Sequence, residues 1–270
     1  MKRLVLTFAI LIGLAAPAWA GLAEGVAAYK RGDYATALRE FRPLADQGDA
    51  GAQTSLGNIY FRGEGVPRDR AEAVRWYGKA AAQGDADAQH NLGTMYANGH
   101  GVPRDYAEAV RWYREAANQG DAEAQYNLGV MYDKGEGVPP DPAEAVRWYR
   151  KAAAQGDADA QHNLGLMYVH GEGVPQDYGE AVRWFRQAAN HGDASAQTNL
   201  GIMYFIGEGM LRDLTQAYMW YDLASSRFPP GAAHDDAVRN RDFVAKHMTP
   251  AQIAEAQRLA REWKPKKEGK

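Results

Sequence analysis

From Ala52 onward the apolar residues fall four apart: Ala52, Leu56 and Tyr60 share one face of a helix. After a loop a second stripe follows in Ala73, Trp76 and Ala80, and the whole pattern then returns every 36 residues. Leu56 aligns with Leu92, Leu128, Leu164 and Leu200, each followed by glycine, and Tyr60 aligns with Tyr96, Tyr132, Tyr168 and Tyr204. Past the loop, Ala73 and Trp76 recur as Ala109/Trp112, Ala145/Trp148, Ala181/Trp184 and Ala217/Trp220. Each unit is thus predicted to be two amphipathic helices. Neither can bury its apolar face alone, whereas stacked pairs share a continuous core. The spacing predicts an all-α fold, a right-handed α-solenoid of about six helix pairs closed by C-terminal capping helices.

The polar residues punctuate the same plan. Asp49 is placed to cap the first helix of its unit, and Gly63 to end it in a left-handed conformation. Asp69 with Glu72 predicts an acidic variant of the capping box at the second helix, repeated as Asp105/Glu108, Asp141/Glu144 and Asp177/Glu180, then Asp213/Gln216. Pro142 stands at a first helical position, where its missing N–H costs nothing, and Gly84 closes the second helix. Gly57 and its equivalents lie mid-helix at a cost of about 1 kcal/mol relative to alanine. They are expected to act as packing notches that let the paired helix approach.

Taken together, A-x-x-x-L-G-x-x-Y-x-x-G-x-G-V, an Asp three residues on, and A-x-x-W-x-x-x-A-A-x-x-G resemble the Sel-one-like repeat, a relative of the tetratricopeptide repeat. Five such repeats are assigned to residues 49–228. Before them, residues 21–48 resemble an ordinary tetratricopeptide unit through Tyr29, Gly32-Asp33-Tyr34, Ala37-Leu38 and Phe41, and are expected to cap the N-terminal end. After them, residues 229–263 carry two expected capping helices, Ala233 to His247 and Thr249 to Trp263, and residues 264–270 form a basic, frayed tail.

Resemblance to tetratricopeptide solenoids implies that the first helix of each pair lines a concave groove. Its inward positions would be Thr54, Asn58 and Phe61; His90, Thr94 and Ala97; Tyr126, Val130 and Asp133; His162, Leu166 and Val169; and Thr198, Ile202 and Phe205. This mixed surface becomes more apolar toward the C-terminal end and suits a peptide or protein segment better than a nucleic acid. The function expected is a non-enzymatic interaction scaffold or adaptor. Two alternatives stand beside it. One is a weak penicillin-binding, β-lactamase-like or cell-wall-fragment-binding protein on the same scaffold, and the other is a secreted effector that binds a host or competitor protein. The relatives described as β-lactamase-like are cysteine-rich, whereas this chain has no cysteine and no Ser-x-x-Lys nucleophile signature.

Composition adds few restraints. A formal charge of −3 carries no concentrated basic surface of the kind a nucleic-acid binder shows. Lys2-Arg3, the apolar run Leu4 to Ala16, Pro17 and Ala18-Trp19-Ala20 follow the order of a secretory leader. Residues 1–20 are therefore read as a signal peptide cut after Ala20, giving a periplasmic or secreted protein. With no second apolar run long enough to span a bilayer, the processed chain is expected to be soluble. The absence of cysteine excludes disulfides, thiolate metal sites and a lipid-bearing thiol.

No catalytic residue, cofactor or metal site is predicted. His90 and His162 recur two repeats apart, about 20 Å at roughly 10 Å per helix layer, too far to share an ion. The Glu-Gly loops (Gly63-Glu64-Gly65 and relatives) lack the lysine and the strand of a phosphate-binding loop. The i,i+3 pairs Glu72/Arg75, Glu108/Arg111, Glu144/Arg147 and Glu180/Arg183 belong to a solvated face.

Overall fold

The structure, a computed structural model, describes residues 18–265. Most of the expected leader, and the end of the basic tail, lie outside the described residues. Among these there are fourteen helices and no strand. The first two are α1 (Ala18–Lys30) and α2 (Tyr34–Asp46). Five pairs follow: α3 (Ala50–Arg62) with α4 (Arg70–Ala81), α5 (Ala86–Asn98) with α6 (Tyr106–Asn118), and α7 (Ala122–Lys134) with α8 (Pro142–Ala154). The series continues with α9 (Ala158–His170) and α10 (Tyr178–His191), then α11 (Ala194–Ile206) and α12 (Leu214–Arg227). Last come α13 (Ala232–Ala245) and α14 (Pro250–Glu262). Ala18–Ala20 lie in helix α1, so a cut after Ala20 would fall within that helix.

The chain divides into two compact units. The first comprises residues up to Ala88 with His100–Val102, and its core gathers Ala28, Ala37, Phe41, Leu56, Ile59 and Trp76 from α1 to α4. The second comprises Gln89–Gly99 and Pro103 onward. Its core runs through successive clusters: Val110, Tyr113, Leu128 and Trp148; then Val146, Tyr149 and Leu164; then Phe185, Leu200, Trp220 and Val244.

The aspartates start the helices as their spacing requires. The Asp49 carboxylate accepts the Ala52 N–H at 2.7 Å, and Asp121, Asp157 and Asp193 do the same for Ala124, Ala160 and Ala196. At the second helices the expected box is only half formed. Asp69 Oδ1 accepts the Glu72 N–H at 2.9 Å, but the Glu72 carboxylate turns away to Arg75, also at 2.9 Å. The reason lies across the loop: the Asp69 N–H already donates to the Tyr60 carbonyl at 2.9 Å, leaving no donor for Glu72 to accept. Asp105, Asp141, Asp177 and Asp213 repeat that bond to Tyr96, Tyr132, Tyr168 and Tyr204. A reciprocal box does form at α14, between Thr249 and Gln252.

The mid-helix glycines are notches, but what fills each is a ring. Tyr77, Tyr113, Tyr149, Phe185 and Tyr221 occupy the places where side chains on Gly57, Gly93, Gly129, Gly165 and Gly201 would stand. Gly25 and Phe41 repeat the relationship at the N-terminal pair. The tryptophan stripe departs from expectation in part. Trp76, Trp148 and Trp220 are buried, while Trp112 and Trp184 are half-buried. A second helix is flanked on two sides, so two neighbouring residues point into two clusters. Trp148 joins the α6–α7 cluster and Tyr149 the α8–α9 cluster.

A buried amide series ties helix ends together. Nε2 of Gln53, Gln125, Gln161 and Gln197 donates to the carbonyl of Ala45, Ala117, Ala153 and Ala189 at 2.9 to 3.2 Å. Three Oε1 atoms at this repeat position are served in turn, Gln83 donating to Gln53, Gln119 to Gln89 and Gln155 to Gln125 at 2.7 to 2.8 Å, whereas that of Gln197 is buried without a partner. Where the next glutamine would stand the chain has His191, and Gln161 Oε1 and His191 Nδ1 are both buried without a partner.

Candidate functional site: the first-helix face

The expected groove residues sit on the first helix of each pair, and the structure shows what holds each one. In the first unit Thr54 is buried, its Oγ1 3.0 Å from both the Ala50 carbonyl and Asp85 Oδ1. Asn58 Oδ1 accepts the Tyr77 hydroxyl at 2.8 Å. The Phe61 ring lies 6.2 Å from His100. Thr54 has thus spent its hydroxyl inside the fold, and Asn58 its amide oxygen.

In the second unit the variable position of one repeat is bonded to an asparagine of the next. Asn127 Nδ2 lies 3.3 Å from His90 Nε2, and Asn199 Nδ2 lies 2.9 Å from His162 Nε2. Between them Tyr126 lies beside Asn163 of the next repeat. An amide N–H donor pairs with a bare Nε2, an arrangement that leaves Nδ1 to carry the proton of a neutral ring. For His90 that atom lies 3.6 Å from Glu123. The same three residues cover the rings that fill the glycine notches: His90 over Tyr113, Tyr126 over Tyr149, His162 over Phe185, with centroids 5.9 to 6.0 Å apart.

This setting perturbs the ionisation of His162 and Tyr126. Burial holds His162 below the ordinary histidine range, opposed by the charges of Asp193 and Asp159. Burial also raises the Tyr126 phenol, helped by Asp159 and Asp157. Both groups are kept neutral near pH 7.

Two of the ring hydroxyls meet a polar group of this face: Thr94 stands 3.1 Å from the Tyr113 hydroxyl, and Asp133 accepts from Tyr149 at 3.4 Å. The repeat with Phe185 has no hydroxyl and carries Leu166, which is half-buried together with Val130 and Val169. Thr198 turns its hydroxyl to the Ala194 carbonyl at 3.0 Å. Asp133 and Ile202 are exposed, and Phe205 is half-buried with its ring 5.7 Å from Phe243. The face therefore offers a solvent-accessible strip of Val130, Asp133, Leu166, Val169, Ile202 and Phe205 above a layer fastened to the core.

His90 and His162 do not converge; each is bonded instead to the asparagine of the following repeat. Among the described residues no three His, Cys, Asp or Glu side chains converge on a metal site. Sequence reasoning passed over Asn127, Asn163 and Asn199, and the glutamines of the buried series. Their signal was recurrence of a polar residue at the repeat spacing, which is as regular as that of the leucines.

The Sel1 repeat family model matches residues 50–85, 86–121, 122–157, 158–193 and 194–227. A solved Sel1 repeat protein from Oxalobacter formigenes is similar over 90% of this chain and 100% of its own, at 32% identity with a TM-score of 0.77. A protective antigen with this repeat fold from uropathogenic Escherichia coli is 30% identical over 92% of this chain and 68% of its own, with a TM-score of 0.43. An immunity protein from Pseudomonas aeruginosa is 20% identical over 77% and 83% of the two chains, with a TM-score of 0.43. No curated protein matches. Five contiguous family matches, on five helix pairs with the same notch and cap in each, lead to one conclusion: the chain belongs to the Sel1 repeat family.

Proposed function

We propose that this protein is a non-enzymatic scaffold that holds a protein or peptide partner along the first-helix face, in the concave groove expected from the sequence. Sel1 repeats are in general a protein-binding scaffold. The observation that carries the reading here is the division of labour on that face. Invariant positions and the asparagine series fix the helices, while the strip from Val130 and Asp133 to Ile202 and Phe205 differs at every repeat and reaches solvent. A surface whose frame is constant and whose contact residues vary suits recognition of one extended partner. The polar atoms of Thr54 and Asn58 contribute by holding the frame.

Export to the periplasm or beyond belongs to the same proposal, supported by the charged, apolar and small-residue order of residues 1–20. Among the described residues no helix is long and apolar enough to cross a membrane. Chemical crosslinking of the native protein in its own cells, with mass spectrometry of what it captures and of its own N-terminus, tests both parts. A reproducible protein partner and Gly21 as first residue are expected. No partner above a mock control would overturn the scaffold reading, and an uncut chain would overturn export.

A further inference from the structure

Ile202 and Ile206 lie one helical turn apart on α11, 36% and 47% exposed, and Phe243 of α13 is 50% exposed. The Phe205 ring bridges the two helices, with its centroid 5.7 Å from Phe243 and 6.5 Å from His247. Four large apolar side chains thus form one open patch at the α11–α13 end of the first-helix face. Such a contiguous patch marks an interaction site far better than scattered exposed residues do.

The rest of the same edge has the opposite character. Asp133 stands in the last turn of α7, and Glu136, Glu172 and Glu208 stand just past the ends of α7, α9 and α11. Among the described residues none of the four carboxylates forms an ion pair, and Lys134 is the one lysine or arginine in these turns. Helix C-termini carry partial negative charge of their own, so acids there add to an unfavourable field. Burial pushes the Asp133 carboxyl above its ordinary range, and the Glu172 charge adds to this against the Tyr149 hydrogen bond and Lys134. A cation laid against this edge would relieve that repulsion.

We propose that the patch of Ile202, Phe205, Ile206 and Phe243 docks a peptide segment whose aliphatic or aromatic side chains are followed by Lys or Arg, the cation lying over Asp133 and Glu172. Equivalent positions on α7 and α11 are two layers apart, about 20 Å at roughly 10 Å per layer. An extended chain covers that distance in about six residues at ~3.3 Å each, which sets the spacing between anchor and cation. The docking site rests on the reading that the first-helix face binds a partner, and adds the partner's chemistry and its polarity along the face.

The test is selection of a random-peptide display library on the purified protein, followed by titration of the enriched peptides. The expected sequences pair an apolar cluster with a downstream Lys or Arg, and Phe243→Asp or Ile206→Asp weakens them by about tenfold or more. Asp133→Asn with Glu172→Gln is expected to flatten the salt dependence of binding without removing it. Enriched peptides that are acidic, or that bind both patch variants as well as the parent, overturn this inference and leave the scaffold reading standing. If Phe243→Asp instead converts a dimer to a monomer, a second copy covers the patch and the inference also falls. No enrichment over the bare matrix would sink the inference and the scaffold reading together.

Discussion

A methyl group added to Gly129 would stand 2.7 Å from Cδ1 and Cε1 of the Tyr149 ring, which fills the notch that the glycine leaves. Tyr149 is fully buried and cannot move aside. Gly129→Ala therefore gains about 1 kcal/mol of helix propensity but meets an overpacking cost of about 1–3 kcal/mol. A lowered urea midpoint is expected. Gly78 in α4 is the control, because a Cβ there meets nothing within 4 Å. Gly78→Ala should raise stability by about 0.5–1 kcal/mol. Equal shifts in the two variants would mean that the ring does not seat in the notch.

The tryptophans give a graded test of the same packing. Trp148 is buried among residues of α6 and α7, whereas Trp112 is half-buried. Trp148→Ala should cost about 3–5 kcal/mol and Trp112→Ala clearly less. Hydrogen exchange should show the Trp148 lesion spreading into α6 and α7, because repeats share their interfaces. Equal costs would place both rings in the same environment.

Restoring the amide series should stabilise the protein. Gln155 Nε2 donates to Gln125 Oε1 at 2.8 Å, but His191 stands at the next such place and leaves Gln161 Oε1 unmet. His191→Gln supplies a donor, and leaving a buried acceptor unsatisfied costs about 1–3 kcal/mol. A higher melting temperature is expected, and an unchanged one would show that His191 already meets Gln161 in solution.

His162 makes stability acid-sensitive. Its folded pKa is lowered by burial, so between folded and unfolded values the unfolded chain binds more protons. Its contribution is fully present above the unfolded value of about 6.5 and is lost as pH falls through the folded one. His162→Thr, the residue type at Thr54 and Thr198, should flatten the fall in melting temperature between about pH 7 and pH 5. Parallel curves for variant and parent would contradict the buried, neutral imidazole.

Much of this architecture was legible because helical periodicity and capping are local. Ala52, Leu56 and Tyr60 announce one face, and Asp49 and Gly63 bound it. What could not be read was the second side of each second helix. The stripe Ala73, Trp76 and Ala80 pointed to the tryptophan and hid the adjacent Tyr77, which a helix flanked on two sides buries as well. The capping boxes were half-formed because the Asp69 N–H is taken by Tyr60, a bond across the loop that spacing does not reveal. On the first-helix face, the inward positions were placed by resemblance. That Tyr126 is half-buried and lies over the Tyr149 ring makes it part of the frame, so Tyr126→Ala disturbs stability as well as contact.

The scaffold reading requires the partner to lie on the first-helix face. A photoreactive phenylalanine analogue placed at Asp133, exposed on α7, and separately at Arg147, exposed on α8, reads this directly in living cells. Both sites lie in the second unit, and Arg147 serves an ion pair with Glu144 whose loss costs little. Crosslinked product from position 133 and none from 147 is the predicted result. Product from 147 with none from 133 would place the partner on the second-helix face and contradict the account.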